Sequence, residues 1–327
     1  MRPIKIVLIS LICFALFTLG CHSRDHKIRK LKIAHGLNID HPVHKAMVNL
    51  AERALEKSDS TLVIDIYPNE QLGNERDCIE QLQFGILSMT KVSSSPLESF
   101  VPKIKVFALP FLFRNAEHKW KVFNSDVGRE LLVACEPKGL RGLCYYDAGA
   151  RSFYTKPKPI LHPDDLRGLK IRTQQSPMAI QMVNVLGGSA TPISWGELYT
   201  ALQQGVVDGA ENNEPSLFTS MHYEVAKHYS LNEHTMVPDI LLISTIQWEH
   251  LSDFHQKVLQ EAADESVIYQ RKLWAEFVEK AMADMKAKGL QVYQPDKAPF
   301  MERAQEMYKS FEGTEIGDLA KKIQEVQ

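Results

Sequence analysis

The chain has 327 residues, of which 44% are hydrophobic and 24% are charged, and its formal net charge at pH 7 is −2. A chain of this length can bury a large core and is long enough for two lobes. It has no basic stripe and no charged tail, which argues against a nucleic-acid partner.

The N-terminus predicts export. A basic start is followed by an apolar run over 6–19, which is shorter than the roughly 20 residues that a membrane-spanning helix needs. This is the pattern of a secretory signal peptide, here 1–20, that is removed before folding. The next residue, Cys21, is either a lipidated cysteine that anchors the protein to a membrane or a chance cysteine after an ordinary signal. We therefore expect the mature protein in the periplasm.

Export leaves three cysteines beyond the cleavage region, Cys78, Cys135 and Cys144. An odd number is unusual in an oxidising compartment. A disulfide between Cys135 and Cys144 is one interpretation, and buried unpaired thiols are the favoured one.

Strands and helices alternate along the first half of the mature chain. Alternating apolar and polar residues predict strands, and apolar residues three and four positions apart predict helices. The predicted strands are 31–35, 61–67, 88–92, 105–109 and 142–148, and the predicted helices are 42–57, 75–85, 116–123 and 127–135. This alternation is typical of an α/β fold with a largely parallel sheet.

The second half predicts another lobe. Small residues around 148–152 suit a strand that crosses between lobes, strand–helix units continue to about residue 234, and 240–245 is a predicted return strand. A helix over 252–288 would extend roughly 55 Å, which is longer than one lobe. Two tail helices are predicted at 299–311 and 316–326. Lobe I would comprise 30–148 and about 238–272, and lobe II would comprise 149–237 and about 273–327.

Polar residues are predicted at the ends of two strands in the second lobe. One strand ends by presenting Arg172, and a later strand ends by presenting Glu211, Asn212 and Asn213. Ligands of open α/β sheets bind beyond the carboxyl ends of strands. A guanidinium offers paired N–H donors to a carboxylate. The segment supplies no nucleophile, general base or metal ligands, so it favours binding over catalysis.

Several strings of the chain resemble the DctP-like solute-binding proteins of TRAP (tripartite ATP-independent periplasmic) transporters. They occur in the order of the family and extend over 31–311. The strings are Tyr-Pro-Asn-Glu-Gln-Leu-Gly at 67–73, Val-Phe-Ala-Leu-Pro-Phe at 106–111, Gly-Leu-Lys-Ile-Arg at 168–172 and the run from Leu-Tyr-Thr to Ala-Glu-Asn at 198–212. The resemblance implies a two-lobed periplasmic-binding-protein-like fold with crossing hinge strands. It also implies a receptor that captures an organic acid and delivers it to a membrane permease.

The resemblance further implies roles for four residues. Arg172 would clamp the ligand carboxylate, and Arg151 on the hinge strand would join it as a second cation. Asn212 would complete the cradle, and Trp195 would pack on the ligand.

Three more residues are candidate ligand contacts. Lys91 is a charge inside an apolar strand and could meet a ligand hydroxyl or pair with Glu75. Glu75 could contact the ligand or stabilise the N-terminus of its helix. His35 ends the first strand and could point into the cleft. No cofactor is predicted, and no metal, because the pair of histidines at 41 and 44 lacks further ligands.

These observations favour a binding protein over an enzyme. The strings at 40–45 and 149–154 resemble the uronate-binding branch of the family, so the expected ligand is a hexuronate such as D-glucuronate or D-galacturonate. A C4-dicarboxylate or sialic acid is the alternative within the family. A short dicarboxylate would leave the polar candidates unpaired. A secreted enzyme acting on uronates, or a binding protein that feeds a sensor, is the alternative from another class.

Overall fold

Eleven strands form two sheets in residues 28–327, the part of the chain that the computed structural model describes. The strands are β1 (Arg29–Ala34), β2 (Leu62–Tyr67), β3 (Met89–Ser93), β4 (Leu140–Tyr146), β5 (Arg151–Thr155), β6 (Lys170–Thr173), β7 (Ser189–Pro192), β8 (Gly209–Asn212), β9 (His228–Thr235), β10 (Asp239–Ser244) and β11 (Gln291–Tyr293). The first sheet has the order β2-β1-β3-β10-β4, and the second has the order β11-β9-β5-β8-β6-β7. The two sheets form the two lobes, as the sequence predicted.

Each sheet is parallel apart from the one strand that reaches it from the other lobe. Strand β10 follows β9 of the second sheet and pairs antiparallel with β3 and β4 of the first. Strand β5 follows β4 and pairs antiparallel with β8 and β9. The prediction of largely parallel sheets holds for the other pairs. The two crossing strands were predicted near these positions, but not their antiparallel pairing, which arises because they arrive from the other lobe and not through the helical crossover that makes neighbours parallel.

Helices cover the sheets, and one of them runs along both lobes. They are α1 (Pro42–Lys57), α2 (Glu75–Gln83), α3 (Ser94–Leu97), α4 (Ala116–Asn124), α5 (Asp126–Val133), α6 (Pro177–Val185), α7 (Leu198–Gln204), α8 (Glu214–Thr219), α9 (His222–Val225), α10 (Thr245–Glu249), α11 (Asp253–Ala287), α12 (Ala298–Ser310) and α13 (Glu315–Glu325). Helix α11 has 35 residues and begins after Ser252, whose side chain accepts a hydrogen bond from the backbone N–H of His255. It packs on α1 and β4 of the first lobe and on α8 of the second, which confirms the predicted long helix.

The predicted strand at 105–109 is wrong, because Pro102–Ala108 is a 3₁₀ helix. Pro102 occupies its first turn, where the missing N–H of proline costs nothing. Ile104, Val106 and Phe107 are buried along this turn. A short apolar run cannot be assigned to a strand or a buried helical turn from periodicity alone.

The chain leaves the first sheet at Tyr146 and enters the second at Arg151, close to the predicted crossing. The residue ranges of the two lobes stay a prediction. Helix α13, which falls in the predicted lobe II, packs on α5 and the 3₁₀ helix 102–108, whereas α12 packs on α6.

The three cysteines of the described chain, Cys78, Cys135 and Cys144, are buried free thiols. The predicted signal peptide and Cys21 lie outside the described residues. Within residues 28–327, no helix combines the length and the apolar character that crossing a bilayer requires.

Candidate functional site

A cleft between the two sheets brings together six of the seven predicted ligand-binding residues. Its lining contains Arg151, Arg172, Trp195 and Asn212 from the second lobe and Glu75 and Lys91 from the first. A neighbouring recess shares Glu75, Arg172 and Trp195 with it, so the cleft continues past the Arg172 side chain.

Arg172 lies on β6, and no acid in residues 28–327 forms an ion pair with it. The residue is 2% exposed. Its Nε donates a hydrogen bond to the carbonyl oxygen of Ile193 at 2.8 Å. Its Nη1 is buried and makes no hydrogen bond with the described residues, and the guanidinium lies 5.6 Å from the centre of the Trp195 ring. Burial lowers the pKa of Arg172, but arginine stays charged in proteins. The cleft therefore contains a cation that no described acid pairs with directly and whose Nη1 donors are free.

Arg151 is equally buried but is paired with Glu211. Its Nη2 donates to Oε1 and to the carbonyl oxygen of Glu211, both at 2.8 Å, and its Nε donates to the other carboxylate oxygen. Its Nη1 donates to Oδ1 of Asn212 at 2.9 Å. Burial alone would raise the pKa of Glu211, and the Arg151 guanidinium instead lowers it to about 2. Because a guanidinium has five N–H groups, Arg151 keeps one for a ligand.

The partner of Arg151 differs from the one that its sequence neighbourhood offers. Asp147 precedes it by four residues, but Asp147 accepts a hydrogen bond from Lys119 at 2.6 Å. Glu211 lies on β8, which pairs with β5 in an antiparallel register. Strand pairing therefore decides which acid neutralises Arg151.

Asn212 is held so that its amide nitrogen is available to the cleft. Its Oδ1 accepts from Arg151 and from the backbone N–H of Asn213, both at 2.9 Å. The neighbouring Asn213 caps α8 by accepting from the backbone N–H of Ser216 at 2.9 Å. Two neighbouring asparagines thus have different tasks, since one caps a helix and the other lines the cleft with its N–H donors.

Lys91 and Glu75 lie on the opposite, first-lobe wall and are joined there by Asp239. The Nζ of Lys91 is 3.4 Å from Oε1 of Glu75 and 3.2 Å from Oδ2 of Asp239. Oε1 of Glu75 also accepts from the backbone N–H of Ser93 at 2.8 Å. Burial would lower the pKa of Lys91, but the two carboxylates raise it. Lys91 is therefore charged, and it is paired with two acids at the wall of the cleft.

Sequence reasoning missed Asp239. It lies at the start of β10, directly opposite Ser93 of β3 and two positions from the partner of Lys91, which puts the acid and the lysine on the same face. The sequence does contain a signal for Asp239, because this acid stands at the edge of the apolar run 240–243. A charged residue next to apolar strand residues was also the reason for choosing Lys91.

His35 is not among the residues that line the cleft, and its ring lies against His44. Its Nε2 is 3.0 Å from Nδ1 of His44, and its Nδ1 accepts from the backbone N–H of Leu37 at 3.1 Å. Both ring nitrogens are thus used inside the first lobe, and burial lowers the pKa of His35 well below its ordinary value. The contact between His35 and the ligand therefore stays a prediction, and the proposal below does not depend on it; a residue at a strand end can point to either side of the sheet.

Direct contacts join the lobes across the cleft. Oε2 of Glu70 accepts from the backbone N–H of Gly196 at 3.1 Å. Oε1 of Glu98 accepts from Oγ of Ser176 at 2.8 Å and from the backbone N–H of Met178 at 2.9 Å. Burial raises the pKa of Glu98 to about 7. These contacts hold the lobes in a closed arrangement.

A wider groove of about 1110 Å³ lies beside the crossing segment 147–150. Its lysines at 119 and 297 are paired with acids, and the Arg271 guanidinium covers the Trp120 ring at 4.1 Å. This groove contains none of the predicted ligand-binding residues. Over residues 28–327, no cluster of three or more His, Cys, Asp or Glu side chains is arranged to hold a metal ion.

Comparison with known proteins identifies a matching family and similar structures that contain bound ligands. The family model described as bacterial extracellular solute-binding protein, family 7, matches residues 33–314. A TRAP periplasmic solute-binding protein from Xanthobacter autotrophicus Py2 with bound β-D-galacturonate is 38% identical, with a TM-score of 0.88 over 91% of this chain and 100% of that one. One from Chromohalobacter salexigens with bound D-glucuronate is 34% identical, with a TM-score of 0.88 over 91% of this chain and 100% of that one.

A relative with a different ligand is similar over a shorter length. The C4-dicarboxylate-binding periplasmic protein DctP of Rhodobacter capsulatus is 32% identical over 260 residues, which are 79% of this chain and 78% of that protein. Similarity to known proteins is therefore compatible with more than one class of organic acid, and the geometry of the cleft is needed to distinguish them.

Proposed function

Because this chain belongs to family 7 of the bacterial extracellular solute-binding proteins, we propose that it captures a hexuronate in the cleft between its lobes and releases it unaltered to a membrane permease. It is a solute-binding protein of the TRAP type, like the structures that it matches. D-Galacturonate and D-glucuronate are the proposed ligands.

The free charge of Arg172 is the observation that carries the proposal. An anion that enters the cleft meets buried N–H donors of Arg172 that no acceptor in the described part of the chain uses. A hydrogen bond to a charged group contributes about 1.5–3 kcal/mol, and micromolar binding needs about −8 kcal/mol in total. A carboxylate on Arg172, with the remaining N–H of Arg151 and the Asn212 amide, would supply a large part of that energy.

The rest of the cleft favours a sugar acid over a short dicarboxylate. Trp195 lines the cleft beside Arg172, and the flat apolar face of an indole suits the C–H side of a sugar ring. Lys91, Glu75 and Asp239 offer donors and acceptors for ring hydroxyls on the opposite wall. A four-carbon diacid has no hydroxyl array for this wall, and unpaired polar groups reduce affinity. The uronates bound to the two similar structures support the same choice.

Three further parts complete the proposal, and membership of the family supports them. The ligand leaves chemically unaltered, since the acids of the site are held in ion pairs with Lys91 and Arg151, an arrangement that suits binding. The chain works outside the cytoplasm after removal of residues 1–20, with Cys21 as the candidate lipid attachment. Its partner is a TRAP permease in the membrane.

A ligand panel tests the proposal. Thermal unfolding of the purified mature protein is measured with D-galacturonate, D-glucuronate, succinate, malate, sialic acid and neutral D-galactose. A ligand that binds only the folded state raises the melting temperature by mass action. We expect the hexuronates to do so at the lowest concentration, and D-galactose to have no effect, since it lacks the carboxylate.

Calorimetric titration then gives the affinities, and NMR of the recovered ligand shows whether it has changed. If D-galactose stabilises the protein as well as D-galacturonate does, the carboxylate clamp is wrong. Conversion of the uronate into a product would favour the enzyme alternative.

A further inference from the structure

The first-lobe wall of the cleft carries more negative than positive charge. One ammonium group, that of Lys91, lies 3.2 Å from a carboxylate oxygen of Asp239 and 3.4 Å from one of Glu75. The side chains are 3% exposed for Lys91, 18% for Glu75 and 9% for Asp239. One lysine cannot neutralise two carboxylates, so these three residues, which we call the triad, carry a net charge of −1 when both acids are ionised. Burial and the charge of Glu75 raise the pKa of Asp239, and the neighbouring Lys91 ammonium opposes this rise.

Among the described residues, no cation other than Lys91 forms an ion pair with the triad, although the charge of Arg151 acts on Asp239 and that of Arg172 acts on Glu75 from the second lobe. Arg151 is engaged with Glu211. Two histidines lie near Lys91, and both stay neutral because burial and the lysine lower the pKa values of His35 and His41. Arg172 stands on the other lobe and forms no ion pair with the described acids. The cleft is therefore positive at Arg172 and negative at the triad.

Each acid of the triad keeps one oxygen free. Oε2 of Glu75 and Oδ1 of Asp239 accept no hydrogen bond from the described residues, and both side chains line the cleft. A carboxylate accepts hydrogen bonds and cannot donate them. These oxygens can therefore pair with hydroxyl hydrogens of a ligand, whereas a second carboxylate would meet them with the same charge.

We propose that the triad is a second subsite, which accepts hydroxyl groups from the ligand and excludes a second carboxylate. The protein then selects sugar monoacids and rejects the corresponding sugar diacids. This inference rests on the proposed function, because it requires that the first carboxylate lie on Arg172. It names Asp239 as a residue that determines specificity.

D-Galacturonate and galactarate share the carbon chain, but galactarate carries a carboxylate at carbon 1, where D-galacturonate closes its ring, and is therefore open-chain. The decisive quantity is accordingly the change in the ratio of their affinities when the triad is neutralised. Calorimetric titration at pH 7.5 measures both ligands against the native protein and Asp239→Asn. We expect galactarate to bind the native protein at least about 100-fold more weakly, because like charges brought together without water cost several kcal/mol. Asp239→Asn makes the triad neutral at unchanged shape, so the ratio of the two affinities should fall at least about tenfold.

Two more variants control the test. Asp65→Asn removes the same charge from the exposed side of β2, and it should leave the ratio unchanged. Glu75→Gln removes the charge of the other acid of the triad, so it should lower the ratio of the two affinities as Asp239→Asn does. The test therefore stays valid if one of the two variants fails to fold.

The outcomes separate this inference from the proposed function. A native protein that binds D-galacturonate and galactarate with similar affinity overturns the inference and leaves the function standing. An unchanged ratio in both folded triad variants overturns it as well. A native protein that binds neither hexuronate contradicts the proposed function itself.

Discussion

The two buried arginines of the cleft should respond in opposite ways to the same substitution. Arg172→Met removes a cation that has no counterion in the described chain and only one hydrogen bond, from Nε to Ile193 at 2.8 Å. Loss of one partner of a buried charged contact costs about 2–5 kcal/mol of binding energy, so affinity for D-galacturonate should fall roughly 30- to 4,000-fold.

The ligand-free protein should not lose stability from this change. Loss of the Nε hydrogen bond costs about 1–3 kcal/mol, whereas a buried unpaired charge carries a desolvation penalty of several kcal/mol. The melting temperature of Arg172→Met without ligand should therefore stay level or rise by a few degrees.

Arg151→Met is the matched control. It removes the partner of Glu211 and leaves that carboxylate, which is 1% exposed, without its guanidinium. Breaking a buried pair costs about 3–5 kcal/mol, and at about 2–4 °C per kcal/mol the melting temperature should fall by roughly 6–20 °C.

Differential scanning calorimetry without ligand and titration with D-galacturonate measure both effects. A clear loss of ligand-free stability in Arg172→Met would refute the reasoning, since it would mean that the charge is satisfied inside the protein. Unchanged affinity in that variant would remove Arg172 from the site.

Three other changes test separate parts of the site. Asn212→Asp keeps the acceptor for Arg151 but sets a carboxylate beside the ligand, so titration should show a loss of affinity above about tenfold with little change in melting temperature. Trp195→Ala removes the apolar face and should weaken D-galacturonate more than a short acid such as malate, again by titration. Glu98→Gln should raise the ligand-free melting temperature at pH 8 and lose this advantage by pH 5. Burial raises the pKa of Glu98 to about 7, so its carboxyl group becomes protonated in the folded protein as the pH falls from 7 towards 4.5. Over this range the free energy of unfolding of the native protein should rise by up to about 3 kcal/mol. A melting-temperature gap that does not depend on pH would contradict that assignment.

Elements with strong local signals could be predicted from the sequence. Helix α1 has the predicted bounds, 42–57, and α11 differs from its prediction by one residue at each end. Both have apolar residues that recur at helical spacing over several turns, and α11 also follows Ser252, a preferred N-terminal cap; these are properties of the local chain. The segment 102–108 has neither, and its helical form depends on packing that the chain does not reveal locally.

The candidate site could be predicted by position but not by orientation. Arg172, Asn212 and Lys91 lie on strands whose ends or edges face the cleft, and strand ends can be read from the sequence. The direction of a single side chain depends on its neighbours. His35 has the expected place at the end of β1, but it points to His44. Asp239 meets Lys91 only through the register of β10 on β3.

The same limit explains why the sequence treats Arg151 and Arg172 alike. Both are arginines on strands of the second lobe, and both were predicted to hold the ligand carboxylate. Strand pairing brings Glu211 to Arg151 and no acid to Arg172. A buried charge without a partner costs stability, and such costs concentrate at sites where function needs them. The arginine that the fold leaves unpaired is therefore the stronger candidate for the ligand, and the paired one holds Asn212 in position beside it.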